Sequence, residues 1–499
     1  MTLAPGRFRR SVSWLTALSV GTLMMAGARP AVATSLRAAQ VAPAPVAAGV
    51  VAGASAAARA AAAAGAATVA GAATVAGVAG WKGDGELGIV SSGRLELLDD
   101  NGVGHLVAGP GVPSAPAWSP DGKWLAFLRS RAVPAISSAQ GPVVSLWEVR
   151  RDGTGLRRLS PVAATVGQFS WSPSSTKEML AFTATPLTGY LSRVYLTMPT
   201  STSARVFGRF TGVIGFSWSP SGEALAVSYR EIRQDQPGVS KGVLDIAPLD
   251  GSRGRAVYSL ADAGYVDLAG WWPDGKGLLF WDDPAGSASI AADGLPLESL
   301  GLTTLKTRAL ATTLVYANWV AWAPGGKTVA VVAGGNRMIW DSGKHVELCA
   351  LPAGKCRDAP LLYSPGRAMS LDPAWTAAGA LVYTLAPGTS SPSARFPPGL
   401  AVKGTSPYSA TNVAAWYAAM RLIALPAAGD AHLVAAAGTG AHDPTPTSGG
   451  LLYVRDGSLW YLRTGQAKAM KISGGLESPS PYGNFYGYVP WYQDFAWHG

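Results

Sequence analysis

The chain has 499 residues, of which 48% are hydrophobic and only 14% charged, and it carries 61 glycines, 36 prolines and 18 tryptophans. That profile favours many short strands joined by tight turns over long helices. The formal charge of +10 does not mark a nucleic-acid-binding surface, because residues 1–80 hold six arginines and no acid, which leaves 34 basic against 30 acidic residues in the remainder.

Arg7, Arg9 and Arg10 precede an uncharged segment, Ser11–Ala28, and then Ala31-Val32-Ala33, a small-residue site of the kind signal peptidase cuts. Residues 1–33 read as a signal peptide, so the protein is expected to be secreted or otherwise extracytoplasmic. An uncleaved signal anchor is the alternative, since an 18-residue uncharged run is at the lower limit for spanning a bilayer. No cysteine stands near the cleavage site to take a lipid anchor. Residues 34–80 read as an Ala/Gly-rich low-complexity spacer, since Ala38–Gly80 is almost only Ala, Gly, Val, Pro and Thr, with Gly-Ala-Ala-Thr-Val-Ala at 65–70 repeated at 71–76.

Beyond residue 80 one pattern recurs. Ala115–Leu128 reads Ala-Pro-Ala-Trp-Ser-Pro-Asp-Gly-Lys-Trp-Leu-Ala-Phe-Leu. Pro120-Asp121-Gly122 is a turn signal: Pro sets the first corner, Asp bonds its own backbone, and Gly takes the positive-φ position. Strands are expected on both sides, over Ser114–Trp118 and Trp124–Leu128. The motif returns at Trp171, Trp218, Trp271, Trp322 and Trp375, spaced 53, 47, 53, 51 and 53 residues apart from Trp118 onward. A degenerate copy follows at Asp443-Pro-Thr-Pro446, which mirrors Asp372-Pro-Ala-Trp375, and the last copy ends the chain at Phe495-Ala-Trp497.

In the best-defined unit, further strands are expected over Val143–Val149 and Leu156–Leu159, giving four short antiparallel strands in about 50 residues, the size of one propeller blade. A sheet this small cannot bury both faces alone, so blades pack around a ring with the repeated Trp wedged between neighbours. Leu87–Val90, Arg94–Leu98 and Gly104–Val107 resemble the second to fourth strands of a blade, whereas Gln493–Trp497 resembles a first strand with nothing after it. The fold class is therefore all-β, a single propeller over 81–499 closed by pairing of the N- and C-terminal strands. Eight blades are favoured; seven result if 376–446 is one irregular unit. The rival first strand for the N-terminal blade is Trp81-Lys-Gly-Asp-Gly85, which also resembles the turn motif.

The Trp-Ser-Pro-Asp-Gly-Lys-x-Leu-Ala-Phe pattern at Trp118–Phe127 resembles the repeat of TolB-type β-propellers, and its echoes cover about residues 81–499. The resemblance implies an extracytoplasmic propeller that serves as a protein-interaction platform; similar blades also occur in peptidase regulatory domains and in polysaccharide lyases.

Catalytic signatures are not apparent. Gly-x-Ser-x-Gly occurs once, at Gly238–Gly242, where a strand pattern and not the helix of a nucleophile elbow follows, and His105, His345, His432, His442 and His498 are scattered without metal-ligand spacing, so neither a catalytic residue nor a metal or other cofactor is expected. Cys349 and Cys356, the only cysteines, flank Ala-Leu-Pro-Ala-Gly-Lys and are expected to close a hairpin with a disulfide. In a four-stranded blade the first-to-second turns lie on one face of the disc, and the second-to-third loops and interblade connections lie on the other. Here the second kind carry the irregular insertions, Arg129–Pro142, Ala184–Ser192, Tyr229–Gly242, Asp282–Pro296 and Pro387–Met420, together with the connection Ser473–Asp494. That connection holds Tyr482, Phe485, Tyr486, Tyr488, Trp491 and Tyr492, which are the candidate binding residues unless they pack down as a closing clasp. The expected function is a monomeric binding scaffold for an envelope or extracellular protein, or a glycan, touching membrane only through an uncleaved N-terminus. A carbohydrate-active lyase or hydrolase, or a ligand sensor, in the central channel is the alternative.

Overall fold

The computed structural model describes residues 73–75, 78, 80, 81, 84–131, 142–174, 176–232, 240–284, 288–360, 368–389, 396, 397, 399–407, 409–476 and 487–499. Among them are eight antiparallel sheets, each with four strands in sequential order apart from the first. The first strands lie beside one another around the ring, so each blade runs outward from the channel. The region 376–446 resolves into the rest of blade 7, which carries the long insertion, and the start of blade 8. Eight blades, not seven, follow.

The hairpin signal works through the serine as much as through Pro-Asp-Gly. Ser119 Oγ accepts from the Trp124 amide at 3.1 Å and donates to Asp121 Oδ1 at 2.7 Å, while Asp121 Oδ1 takes the Lys123 amide at 3.0 Å. Ser219 does the same in blade 4, accepting from the Ala224 amide at 3.0 Å. Gly122 sits at φ +68°, where a Cβ would meet the His498 ring at 2.6 Å, so only glycine fits this corner.

After the turn comes a strand buried on both faces. Leu125, Ala126 and Phe127 are fully buried, as are Leu180, Ala181 and Phe182 in blade 3 and Leu225, Ala226 and Val227 in blade 4. One face packs on the preceding blade and the other on the following blade, which is why these strands read as continuous apolar runs instead of alternating.

The repeated tryptophans stitch neighbouring blades together. Trp171 donates its indole N–H to the carbonyl of Ala117 at 3.0 Å, Trp218 to Ser170 at 3.1 Å, Trp271 to Ser217 at 3.1 Å and Trp375 to Ala321 at 3.1 Å. In each case the acceptor immediately precedes the tryptophan of the blade before. Trp118 follows the same rule with Ala496 at 3.2 Å, which carries the ladder across the ends of the chain.

Phe495–His498 pairs with Glu86–Ser91 as the inner strand of blade 1, so the expected closure between termini is present and Trp81–Gly85 does not supply that strand. Instead, Trp81 is buried edge-on against Tyr461 at 5.0 Å, and Asp84 accepts from Tyr461 Oη at 2.8 Å and pairs with Arg463. Trp497 donates to the Asp84 carbonyl at 2.7 Å. Trp81 and Asp84 thus fill the seam between blades 8 and 1, where Trp497 takes the Asp84 carbonyl in place of one from the inner strand of blade 8. Ala73–Val75, from the low-complexity stretch, adds a fifth strand outside Gly104–Val107, so part of that stretch belongs to the sheet. Cys349 and Cys356 stand opposite one another on adjacent strands of blade 6 and form the expected disulfide.

Candidate functional site

The insertion face can be built from its connections. Between the second and third strands of blade 7 the chain forms a helix, Ala410–Ala418, capped by Ser409, whose side chain accepts from the Asn412 amide. Asn412 is itself buried and ties down the loop, accepting from the Val402 amide at 2.9 Å and donating to the Ser406 carbonyl at 2.9 Å. Val413, Trp416 and Tyr417 turn inward on one side of the helix, and Trp416 donates to the Pro387 carbonyl at 2.8 Å.

Tyr417 then meets the last interblade connection. Its hydroxyl accepts from the Val489 amide at 3.1 Å, and its ring lies 4.6 Å from His442 and 5.7 Å from Trp491. Of the six aromatics expected to form the binding surface, Tyr482, Phe485 and Tyr486 lie outside the described residues. Tyr488 stacks on Tyr316 at 4.0 Å and donates to Asn318 Oδ1 at 2.6 Å, while Trp491 is only 1% exposed. Tyr492, 45% exposed, is the one of the described three that faces outward. Residues 488 and 491 therefore serve as a clasp across blades 6 to 8.

Beneath the clasp lies a buried polar knot. Asp372 and Asp443 occupy the same repeat position, three residues before Trp375 and Pro446, at a bulge of each inner strand and with φ of +48° and +50°. Each precedes a proline, and aspartate tolerates this left-handed backbone better than most residues. Trp319 donates to Asp372 Oδ1 at 3.0 Å, and His442 Nδ1 lies 2.8 Å from Asp443 Oδ2. Asp372, Asp443, Trp319, Tyr417 and Tyr488 line a cavity of about 10 Å³, the space of one water molecule. Burial raises both carboxyls to about 8 and lowers His442 to about 3, so burial favours the uncharged form of each group. The knot has titratable groups but no room for a substrate while the clasp is closed; the chemistry it performs in this state is to hold residues 488–491 against the ring.

The exposed apolar surface lies elsewhere on the same face. Tyr190 is 95% exposed in the second-to-third loop of blade 3, flanked by the exposed Leu187 and Leu191. The Leu187 amide donates to the Ala163 carbonyl at 2.9 Å, which brings this loop beside Val162 of the preceding interblade connection, itself 78% exposed. A sequence signal existed: Pro186-Leu-Thr-Gly-Tyr-Leu191 sets three large apolar residues in a turn, where burial is not available.

No family model matches the chain, and no curated protein matches it. Solved structures do resemble it, at the level of the fold. TolB from Acinetobacter baumannii is similar at 15% identity with a TM-score of 0.35, over 56% of this chain and 64% of that one, so the match spans less than two thirds of that TolB. A putative TolB from Agrobacterium tumefaciens is similar at 16% identity and a TM-score of 0.34, over 55% of this chain and 86% of that one. Porphyromonas gingivalis dipeptidyl peptidase 4 is similar at 12% identity and a TM-score of 0.47, over 80% of this chain and 59% of that one. Both of those TolB structures are of the type that the Trp-Ser-Pro-Asp-Gly repeat resembles.

Proposed function

We propose that this chain is an extracytoplasmic binding scaffold, exported by the signal segment 1–33, whose insertion face docks an envelope or extracellular protein or its glycan. The observation that carries the reading is the apolar group Val162, Leu187, Tyr190 and Leu191, gathered on that face from two adjacent connections. Large exposed apolar clusters on a soluble surface mark contact sites, and a tyrosine supplies contact area at low entropic cost. Tyr492 extends the same face at the seam of the ring. The disulfide Cys349–Cys356 agrees with folding in an oxidising compartment, and no helix among the described residues is long and apolar enough to cross a membrane.

The test is a double substitution, Tyr190→Ala with Leu191→Ser, in the full chain expressed in its native host. Chemical cross-linking of intact cells followed by denaturing purification should recover one defined partner with the wild type, and recovery should fall at least about tenfold for the variant, as expected for loss of two central contacts. Both side chains are solvent-exposed, so the melting temperature should hold. Equal recovery from variant and wild type would remove the face from the account.

A further inference from the structure

Blade 6 gathers three metal-ligand side chains on its two outer strands, His345–Ala350 and Lys355–Asp358. His345 and Glu347 are two residues apart on the first of these, so they leave the same face of the sheet. Glu347 stands directly opposite Asp358 on the second. His345 Nε2 lies 3.2 Å from Glu347 Oε1 and 3.4 Å from Asp358 Oδ1. Ligands held tetrahedrally at zinc's bond lengths of about 2.0–2.1 Å are separated by roughly 3.3–3.4 Å. Two edges of such a tetrahedron are therefore already in place.

The second ring nitrogen supplies independent support. His345 Nδ1 lies 2.9 Å from the Gly343 carbonyl oxygen, which can only accept, so Nδ1 carries a hydrogen. That leaves Nε2 as the ring atom facing both carboxylates, where either a proton or a metal cation can bridge the three groups. A backbone carbonyl holding the far nitrogen is also the usual outer support of a metal-bound histidine.

The disulfide adds preorganisation. Cys349 and Cys356 form the rung two residues further along both strands, on the same face as Glu347 and Asp358, and their bond locks the register that sets those carboxylates opposite each other. His345 and Glu347 are half-buried and Asp358 is exposed, which leaves the outward side of the cluster open.

We propose that His345, Glu347 and Asp358 bind a divalent transition-metal ion of the zinc class, with the fourth position open to water or to a ligand from another molecule. Two carboxylates and a neutral imidazole match the charge and hardness of that ion. The site is separate from the apolar group around Tyr190, and neither depends on the other.

The test uses the full chain without an affinity tag, stripped with chelator and titrated with Zn²⁺ by calorimetry, then with Co²⁺ by visible absorption. The wild type should bind one zinc per chain and give the intense visible bands of tetrahedral cobalt. His345→Ala and Asp358→Asn should each weaken zinc binding at least about tenfold and lose the cobalt bands, as ligand removal requires. Glu347→Gln keeps the side-chain shape, so it gives the same reading should either of the others disturb folding. Absence of saturable zinc binding in the wild type, or equal affinity in wild type and Glu347→Gln, would overturn the proposal.

Discussion

Trp118 donates its indole N–H to the carbonyl of Ala496, 378 residues away in sequence, at 3.2 Å. This is the same bond that Trp171, Trp218, Trp271 and Trp375 make to the blade before them, and here it joins the last strand of the chain to the second blade. The ring treats its chemical ends as one more interior junction. Trp118→Phe keeps most of the packing and removes the donor, leaving a carbonyl unpaired at the junction. A loss of about 1 kcal/mol is expected. Removing 495–499 exposes a whole edge and should cost far more, seen as a large drop in melting temperature and as aggregation. Equal stability of the truncated and full chains would mean that blade 1 does not need its C-terminal strand.

Trp491 tests the clasp. It is buried against Tyr417 and His442, at ring distances of 5.7 and 5.5 Å. Trp491→Ala should therefore destabilise by about 3–5 kcal/mol, the range for deleting a buried aromatic. Chemical denaturation checks this. A change below about 0.5 kcal/mol, typical of surface positions, would return Trp491 to the binding surface.

The buried knot gives stability a defined pH dependence. Asp372 and Asp443 are raised from 3.8 to about 8 in the folded chain, so it keeps two protons that the unfolded chain releases above pH 4. Stability from these groups is full below pH 4 and is lost as the pH rises toward 8, by up to about 1.4 kcal/mol per pH unit for each carboxyl. His442 is lowered from 6.5 to about 3, so its contribution is full above pH 6.5 and is lost on acidification toward 3. Between pH 6.5 and 8 the two carboxyls act without an opposing contribution from His442. Melting temperature should fall from pH 6.5 to 8 in the wild type, and less steeply in Asp372→Asn/Asp443→Asn, where asparagine suits the left-handed backbone. Parallel profiles would show that the two carboxyls are ionised in the folded chain.

The disulfide closes a short loop, with Cys349 and Cys356 seven residues apart in sequence. The chain-entropy relation for so small a loop gives about 2–3 kcal/mol. Cys349→Ser/Cys356→Ser should lower the unfolding free energy by that amount, and it should weaken zinc binding to His345, Glu347 and Asp358 by loosening their register. Intact mass before and after reduction should differ by two hydrogens; no difference would mean free thiols.

What could be read from the sequence was what recurs locally. Trp118-Ser-Pro-Asp-Gly122 sets a turn through its own side chains, and six such copies at near-even spacing left little choice but a ring of blades. The unpaired strand around Phe495–Trp497 likewise announced closure. Features that depend on depth were harder to read. Tyr488, Trp491 and Tyr492 look alike in sequence, yet Trp491 is buried and Tyr492 is exposed, because the helix Ala410–Ala418 arrives from another blade to cover the former. Asp372 and Asp443 were visible as matching repeat positions; their burial depends on the clasp above them. The His345, Glu347 and Asp358 cluster escaped a search for ligand spacing because its third member comes from the neighbouring strand. The cysteines held the register, since stepping two residues back from Cys349 and two forward from Cys356 gives Glu347 and Asp358.

The central claim is that the insertion face, not the opposite face of short turns, meets the partner. A photo-crosslinking amino acid placed at Tyr190 and at Tyr492, and as a control at Lys276 in the exposed turn of blade 5, compares the two faces in intact cells. The account predicts a defined adduct from positions 190 and 492 and none from 276. Adducts from 276 alone, or from none of the three, would contradict it.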